Sequence, residues 1–150
     1  MPGVVPYVRQ GPVTYPVIST VLGRQLVMPD GVLGNVKTCT ANALTCLGVA
    51  LHDAGVRTSQ DAQNPANIAQ NPDYVAVAYG VDIRVTYNAA VALGGLLAAD
   101  ATGQVKPYVV QGGAFAVGAG APEFIVGRCT EPLGVAGAGT VARARIGPLL

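Results

Sequence analysis

"LGNVK", Leu33–Lys37, has a near copy further along the chain in "TGQVK", Thr102–Lys106. In both, a glycine precedes an amide side chain, a valine and a lysine. A match this short gains weight only from its flanks. Upstream, "VLGRQLVMPDG" (Val21–Gly31) and "ALGGLLAADATG" (Ala92–Gly103) each run through Leu-Gly, a short apolar stretch, an aspartate (Asp30, Asp100) and a glycine turn. Downstream, "LGVALHDAG" (Leu47–Gly55) and "VGRCTEPLG" (Val126–Gly134) each hold two glycines seven apart, Gly48 with Gly55 and Gly127 with Gly134. The second copy carries about ten extra residues, "QGGAFAVGAGAP", Gln111–Pro122. The pattern reads as a degenerate internal duplication of a strand–turn–strand unit. Two copies do not make a solenoid, which needs three or more, so the reading is one pseudo-symmetric β domain.

The rest of the chain agrees with a mainly β fold. "QLVM", "NVKTCTA" and "CLGVALHD" carry apolar and β-branched residues between glycine, Pro-Asp-Gly and asparagine breaks. "YVAVAYG" and "DIRVTYN" alternate, putting Val75, Val77 and Tyr79 on one face and Ile83, Val85 and Tyr87 on another, and Gly80 between them suggests a hairpin. Ala89–Ala99 has helical composition, but the first copy is strand-like at the same place, so a turn at most is expected. "EFIVGRCTE" and "GTVARARIG" supply two more strands, the last with Arg143 and Arg145 on one face. Many short strands with glycine turns predict a small β-sandwich or barrel-like domain over residues 21–150.

Residues 1–20 read differently. Pro2, Pro6, Pro12 and Pro16 exclude a helix and argue against a central strand, leaving an extended arm. Its Val4, Val5, Tyr7, Val8 and Arg9 are candidate contacts along a partner's surface, although an arm folded back on its own domain is also open. A polar loop at 57–74 carries Asn-Pro twice, at Asn64–Pro65 and Asn71–Pro72, and these four residues are a second candidate contact surface.

Composition narrows the function. Charged residues make up 11% of the 150 positions, nine basic against eight acidic, scattered singly. With no basic block or stripe in the linear sequence, no nucleic-acid partner is expected. A hydrophobic content of 51% would leave a lone subunit with apolar patches, so an oligomer or a part of a larger assembly is expected. The longest apolar run, Ala89–Ala99, is too short to span a bilayer, and the N-terminus lacks a signal-peptide pattern. No membrane partner is expected.

Chemistry is sparse. The one histidine, His52, adjoins Asp53, and strand neighbours point to opposite faces. The two serines, Ser19 and Ser59, sit in no nucleophile elbow. Cys39, Cys46 and Cys129 have no C-x-x-C spacing and read as small buried residues. "GAGTVA", Gly137–Ala142, matches a dinucleotide fingerprint by letters alone; with no room for the helix it must open, it reads as a glycine turn. No catalytic, metal or cofactor site is expected, and the chain reads as a non-enzyme.

Three segments carry a resemblance: "VTYNAAVALGGLLAADATGQVKPYVV" (Val85–Val110), "LTCLGVALHDA" (Leu44–Ala54), and "FIVGRCTEPL" with "VARARIG" near the end. Their pattern of glycines, short apolar strands, Asp-Gly turns and Val-Lys resembles tailed-bacteriophage capsid decoration (head-stabilisation) proteins. The resemblance implies a virion protein assembled in the host cytoplasm and seated on the capsid exterior. There it would act as a homotrimer that clamps major capsid protein subunits. Other readings are a different virion part, such as a head-fibre base or tail-associated protein, or a trimeric β binding module.

Overall fold

The structure, a computed structural model, describes residues 12–17, 19–31, 34–41, 43, 45–55, 73–109 and 124–147. Ten strands run through these residues: β1 (Val13–Val17), β2 (Leu26–Pro29), β3 (Val36–Thr38), β4 (Gly48–Ala50), β5 (Asp73–Ala78), β6 (Val81–Thr86), β7 (Leu96–Ala99), β8 (Val105–Pro107), β9 (Gly127–Cys129) and β10 (Val141–Ile146). The first five close into a barrel in the order β1-β3-β2-β4-β5, with β5 returning to β1. The second five form a sheet ordered β6-β10-β9-β7-β8. A parallel bridge between Tyr87, just past β6, and Val105 on β8 joins the edges of that sheet.

The two halves repeat each other partner for partner. β2 lies between β3 and β4 as β7 lies between β8 and β9, and β1 pairs β5 as β6 pairs β10. The parallel contact Val17↔Val36 recurs as Tyr87↔Val105, Val27↔Gly48 as Leu97↔Gly127, and Ala50↔Val77 as Cys129↔Ala144. Turns recur as well: Asp30 N donates to Asn35 O (3.0 Å) and Asp100 N to Gln104 O (2.9 Å). Gly34–Lys37 and Gly103–Lys106 thus lead into β3 and β8 in the same way, each closing an antiparallel hairpin.

Register corrects part of the sequence alignment. Arg24 N donates to Ala50 O as Gly94 N donates to Cys129 O, so Arg24, not Gly23, is the counterpart of Gly94. Both occupy the left-handed region, at φ 70° and 77°. The bridge Val21↔Ala54 matches Val91↔Val135, which places Gly134 opposite Asp53 and not Gly55. Gly48 and Gly127 are true counterparts. A Cβ on Gly48 would lie 2.3 Å from Ala78 O, and one on Gly127 would lie 2.2 Å from Arg145 O. Each half therefore needs a bare backbone where its fourth strand presses against its fifth.

Pleating splits each strand between two cores. Val17, Val21, Val27, Val36, Ala50, Ala54, Val75 and Val77 fill the first barrel. Their eight counterparts, Tyr87, Val91, Leu97, Val105, Cys129, Val135, Ala142 and Ala144, are all buried in the second core. The fillings differ in volume position by position: Tyr87, Leu97, Cys129 and Val135 are larger than their counterparts, and Ala142 and Ala144, each replacing a valine, offset part of that gain. Leu26 and Val49, one residue off the barrel-facing positions, point the other way and join the second core. Burying each contributes about 1.5–3 kcal/mol, and two hydrogen bonds, Leu26 N to Gly103 O (2.7 Å) and Thr86 N to Arg24 O (3.2 Å), tie the halves together.

Two sequence expectations need correction. β5 and β6 do not form a hairpin: β5 pairs β1 and β4, β6 pairs β10, and Gly80 (φ 76°) links the halves. The glycine marks where the chain turns; the register on either side chooses the partners. Within the stretch read as an arm, Val13–Val17 is a barrel strand paired with β5 over five residues. Pro16 fits there because its partner position, Tyr74, need not receive a ladder hydrogen bond from it: antiparallel pairs alternate between bonded and non-bonded.

Candidate interaction surface

The outer face of β6, β10 and β9 gathers charge that is scattered along the chain. On β10, Ala142, Ala144 and Ile146 turn inward and Arg143 and Arg145 outward. Register sets Arg143 opposite Arg84 of β6, and Arg145 opposite Asp82 of β6 and Arg128 of β9. Four of the nine basic residues thus share one exposed sheet face. Opposed side chains on such a sheet stand about 5 Å apart at Cβ, and like charges there destabilise it. Glu131, at the edge, accepts a hydrogen bond from Arg143 N at 3.1 Å. None of the four guanidinium groups makes an ion pair among the described residues, whereas Lys37 and Asp30 do, at 3.0 Å.

A second surface is apolar. At the tip of the second half, Ala90, Ala92, Leu133 and Ala136 border an open cleft of about 400 Å³. Leu133 is 98% exposed and neighbouring Leu93 60%. The corresponding tip of the first half exposes Leu22 and Leu51 but places His52 and Asp53 where the second has Leu133 and Gly134, and Gly23 N donates to Asp53 Oδ1 at 2.7 Å.

The residues that sequence reading singled out for chemistry have structural work. His52 Nε2 accepts from Ala76 N (3.3 Å), so Nδ1 carries the proton and donates to Asp53 O (3.0 Å). The Asp53 carboxylate meanwhile serves Gly23, so no base–orienter pair forms. Asp100 is buried and accepts from Thr102 N and Gln104 N, both at 2.8 Å, and from the Asn88 amide. Aspartate commonly holds a turn together in this way, by accepting from the backbone a few residues on.

Cys129 and Cys39 are buried, as expected, but Cys46 is only partly so. Cys46 Sγ donates to Gly48 O at 3.7 Å. The neighbouring Cys46 sulfur, with burial adding to it, holds the Cys39 thiol far above its ordinary range, and the same pairing draws Cys46 below its own. Tyr87, fully buried, donates its hydroxyl to Arg143 O at 2.9 Å. Burial first, then the neighbouring Cys129, pushes the phenol well above its usual range. The "GAGTVA" stretch is a turn, with Gly139 at φ 75° leading into β10.

The contact residues expected from sequence, Val4, Val5, Tyr7, Val8 and Arg9 in the arm and Asn64, Pro65, Asn71 and Pro72 in the loop, lie outside the described residues. The arginine face was half legible. Arg143 and Arg145 alternate visibly, but Arg84 and Arg128 join them only through cross-strand register. The absence of a basic stripe holds for the linear sequence and fails for the folded sheet.

No protein-family profile matches the chain, and no curated protein matches it. Among solved structures, the chain is similar to the crystal structure of the head fibre gp8.5 N base of bacteriophage phi29, with a TM-score of 0.58. The match covers 90% of this chain and 92% of that one at 15% sequence identity. The likeness is one of fold, and it extends over both halves of the repeat.

Proposed function

We propose that this protein is a structural component of a phage virion, carried on the outside of the head and bound to the major capsid protein. The observation that carries this reading is the whole-chain fold match to a phage head-fibre base. It favours a head-fibre base over the capsid decoration role that the sequence resemblance implied, and both place the chain at the same location. Sequence and structure supply supporting physics. The chain is poor in charge, and Leu133, Leu93, Val109 and Tyr74 lie exposed on it. Such a subunit buries its excess apolar surface in an assembly. Self-association as a homotrimer, with the apolar tip at the subunit contact, belongs to the same proposal. So does the non-enzymatic role.

The test is the protein content of purified particles. Quantitative mass spectrometry should find the chain in full and in empty, tailless heads, at a fixed ratio to the major capsid protein. A fixed ratio close to one would return the decoration role to first place, and a much lower one would support a fibre base. Absence from heads would overturn the virion reading.

A further inference from the structure

We infer that the exposed face of β6, β10 and β9 is the surface that seats this protein on its partner, and that the partner presents carboxylate-rich protein surface to it. The inference rests on the virion reading above and names the contact within it. The first support is the register. Arg84 faces Arg143, and Arg128 faces Arg145, across adjacent strands. Folding gains nothing from opposed like charges; acidic groups on a docked partner would offset that repulsion.

The second support comes from the repeat. The counterparts of Arg84, Arg143, Arg128 and Arg145 in the first half are Thr14, Ala76, Val49 and Ala78. Val49 is fully buried in the core shared with the second half, and Ala78 is buried too. The β4–β5 side of this face is therefore already buried within the molecule. In the second half the same positions carry arginine and remain open, so a partner there must answer charge and not apolar area.

Magnitudes decide the partner's class. Arg143 and Arg145 stand roughly 7 Å apart along β10, with cross-strand neighbours at about 5 Å. A cluster at this spacing suits guanidinium forks binding separate carboxylates, each bidentately. Nucleic-acid binding rests on a basic face that neutralises many phosphates at once, unbroken by acidic groups. This face offers four arginines, with Asp82 opposite one of them and Glu131 at the edge. Interspersed signs fit a protein surface of complementary pattern.

The experiment uses virus heads stripped of this protein by mild denaturant, to which the purified full chain is added back across a salt series. The variant is Arg84→Gln with Arg128→Gln, which removes one member of each like-charge pair. Its unfolding midpoint should equal or exceed that of the wild type, while its binding to heads falls roughly tenfold and loses much of its salt dependence. Arg84→Lys with Arg128→Lys should retain most of the binding. Wild type and neutralised variant binding heads equally would overturn the inference and leave the virion reading standing. Wild type failing to bind heads at all would overturn both. Loss of double-stranded DNA binding in the variant, with head binding unchanged, would reassign the face to nucleic acid and overturn the inference.

Discussion

The two halves of this molecule repeat each other's antiparallel pairings, and the parallel β1–β3 contact recurs as the bridge Tyr87↔Val105, but they differ in what they place on that frame. Inside, the first half is lined by valines and alanines, whereas the second accommodates Tyr87 by shrinking two neighbours to Ala142 and Ala144. Outside, the first half offers Val49 and Ala78 to a buried contact, and the second offers Arg128 and Arg145 to solvent. At the β-turns, Asp30 pairs with Lys37, while Asp100 is buried and satisfied by Asn88, Thr102 and Gln104. What the duplication preserved is backbone geometry. Hydrogen-bond register and the bare-backbone positions are common to both copies, and side chains diverged wherever volume or charge could be offset locally.

The largest effect should follow from the shared backbone requirement. Gly48→Ala and Gly127→Ala each force a Cβ against a carbonyl oxygen, and each should cost about 3 kcal/mol or more in denaturant unfolding. If one is tolerated and the other is not, the halves are not equivalent at this point. Gly48 has the added strain of φ 145°, so it should be the worse of the two.

Next comes the exchange of core fillings. Tyr87→Val restores the first half's residue and leaves a cavity, costing about 2–4 kcal/mol. Adding Ala142→Val and Ala144→Val, which restores the first half's residue at two further positions, should recover a large part of that loss. A triple variant no more stable than Tyr87→Val alone would show that the two interiors are not interchangeable.

Tyr87→Phe is a smaller change. It removes the hydroxyl that donates to Arg143 O, but that carbonyl still accepts from Thr130 N, so the cost should be about 1 kcal/mol. It also tests the pH dependence. The folded phenol titrates well above its ordinary value, so the folded state holds this proton more tightly than the unfolded one. The stability it contributes is complete below about pH 10, the unfolded value, and is lost as pH rises beyond it. The alkaline decline in unfolding free energy should therefore be shallower in Tyr87→Phe.

The smallest effect concerns the paired left-handed turns. Arg24→Gly should be neutral or stabilise by up to about 1 kcal/mol, and Gly94→Ala should destabilise by about 1 kcal/mol, since only glycine is at ease at these φ values. Thermal unfolding of the two variants checks the sign of each.

Much of this architecture was legible in the sequence, and the remainder was hidden for a physical reason. Strands β2, β3 and β8 could be found because an aspartate, a glycine and Val-Lys recur in the same order, whereas Ala89–Ala99, read as a turn at most, ends in β7. The inward set on β10 could be found because small and charged residues alternate there. Cross-strand partnership could not be read, because pairing depends on register between segments far apart in sequence. Hence Gly80 suggested a hairpin where the chain passes between halves, and Leu-Gly matched Leu-Gly one residue out of step. Hence also Arg84 and Arg128 were not seen beside Arg143 and Arg145. β1 was obscured by Pro16, which a strand tolerates only when its ladder position needs no donor.

The proposal is of a protein that sits on the outside of a phage head and contacts it through its second half. The most direct measurement is a difference reconstruction from electron images of heads with the protein present and with it stripped away. Density is expected outside the shell into which the two halves fit, with β6, β10 and β9 facing acidic residues of the capsid protein. Density absent from the exterior, or a fit with that sheet turned to solvent and the first half against the shell, would contradict it.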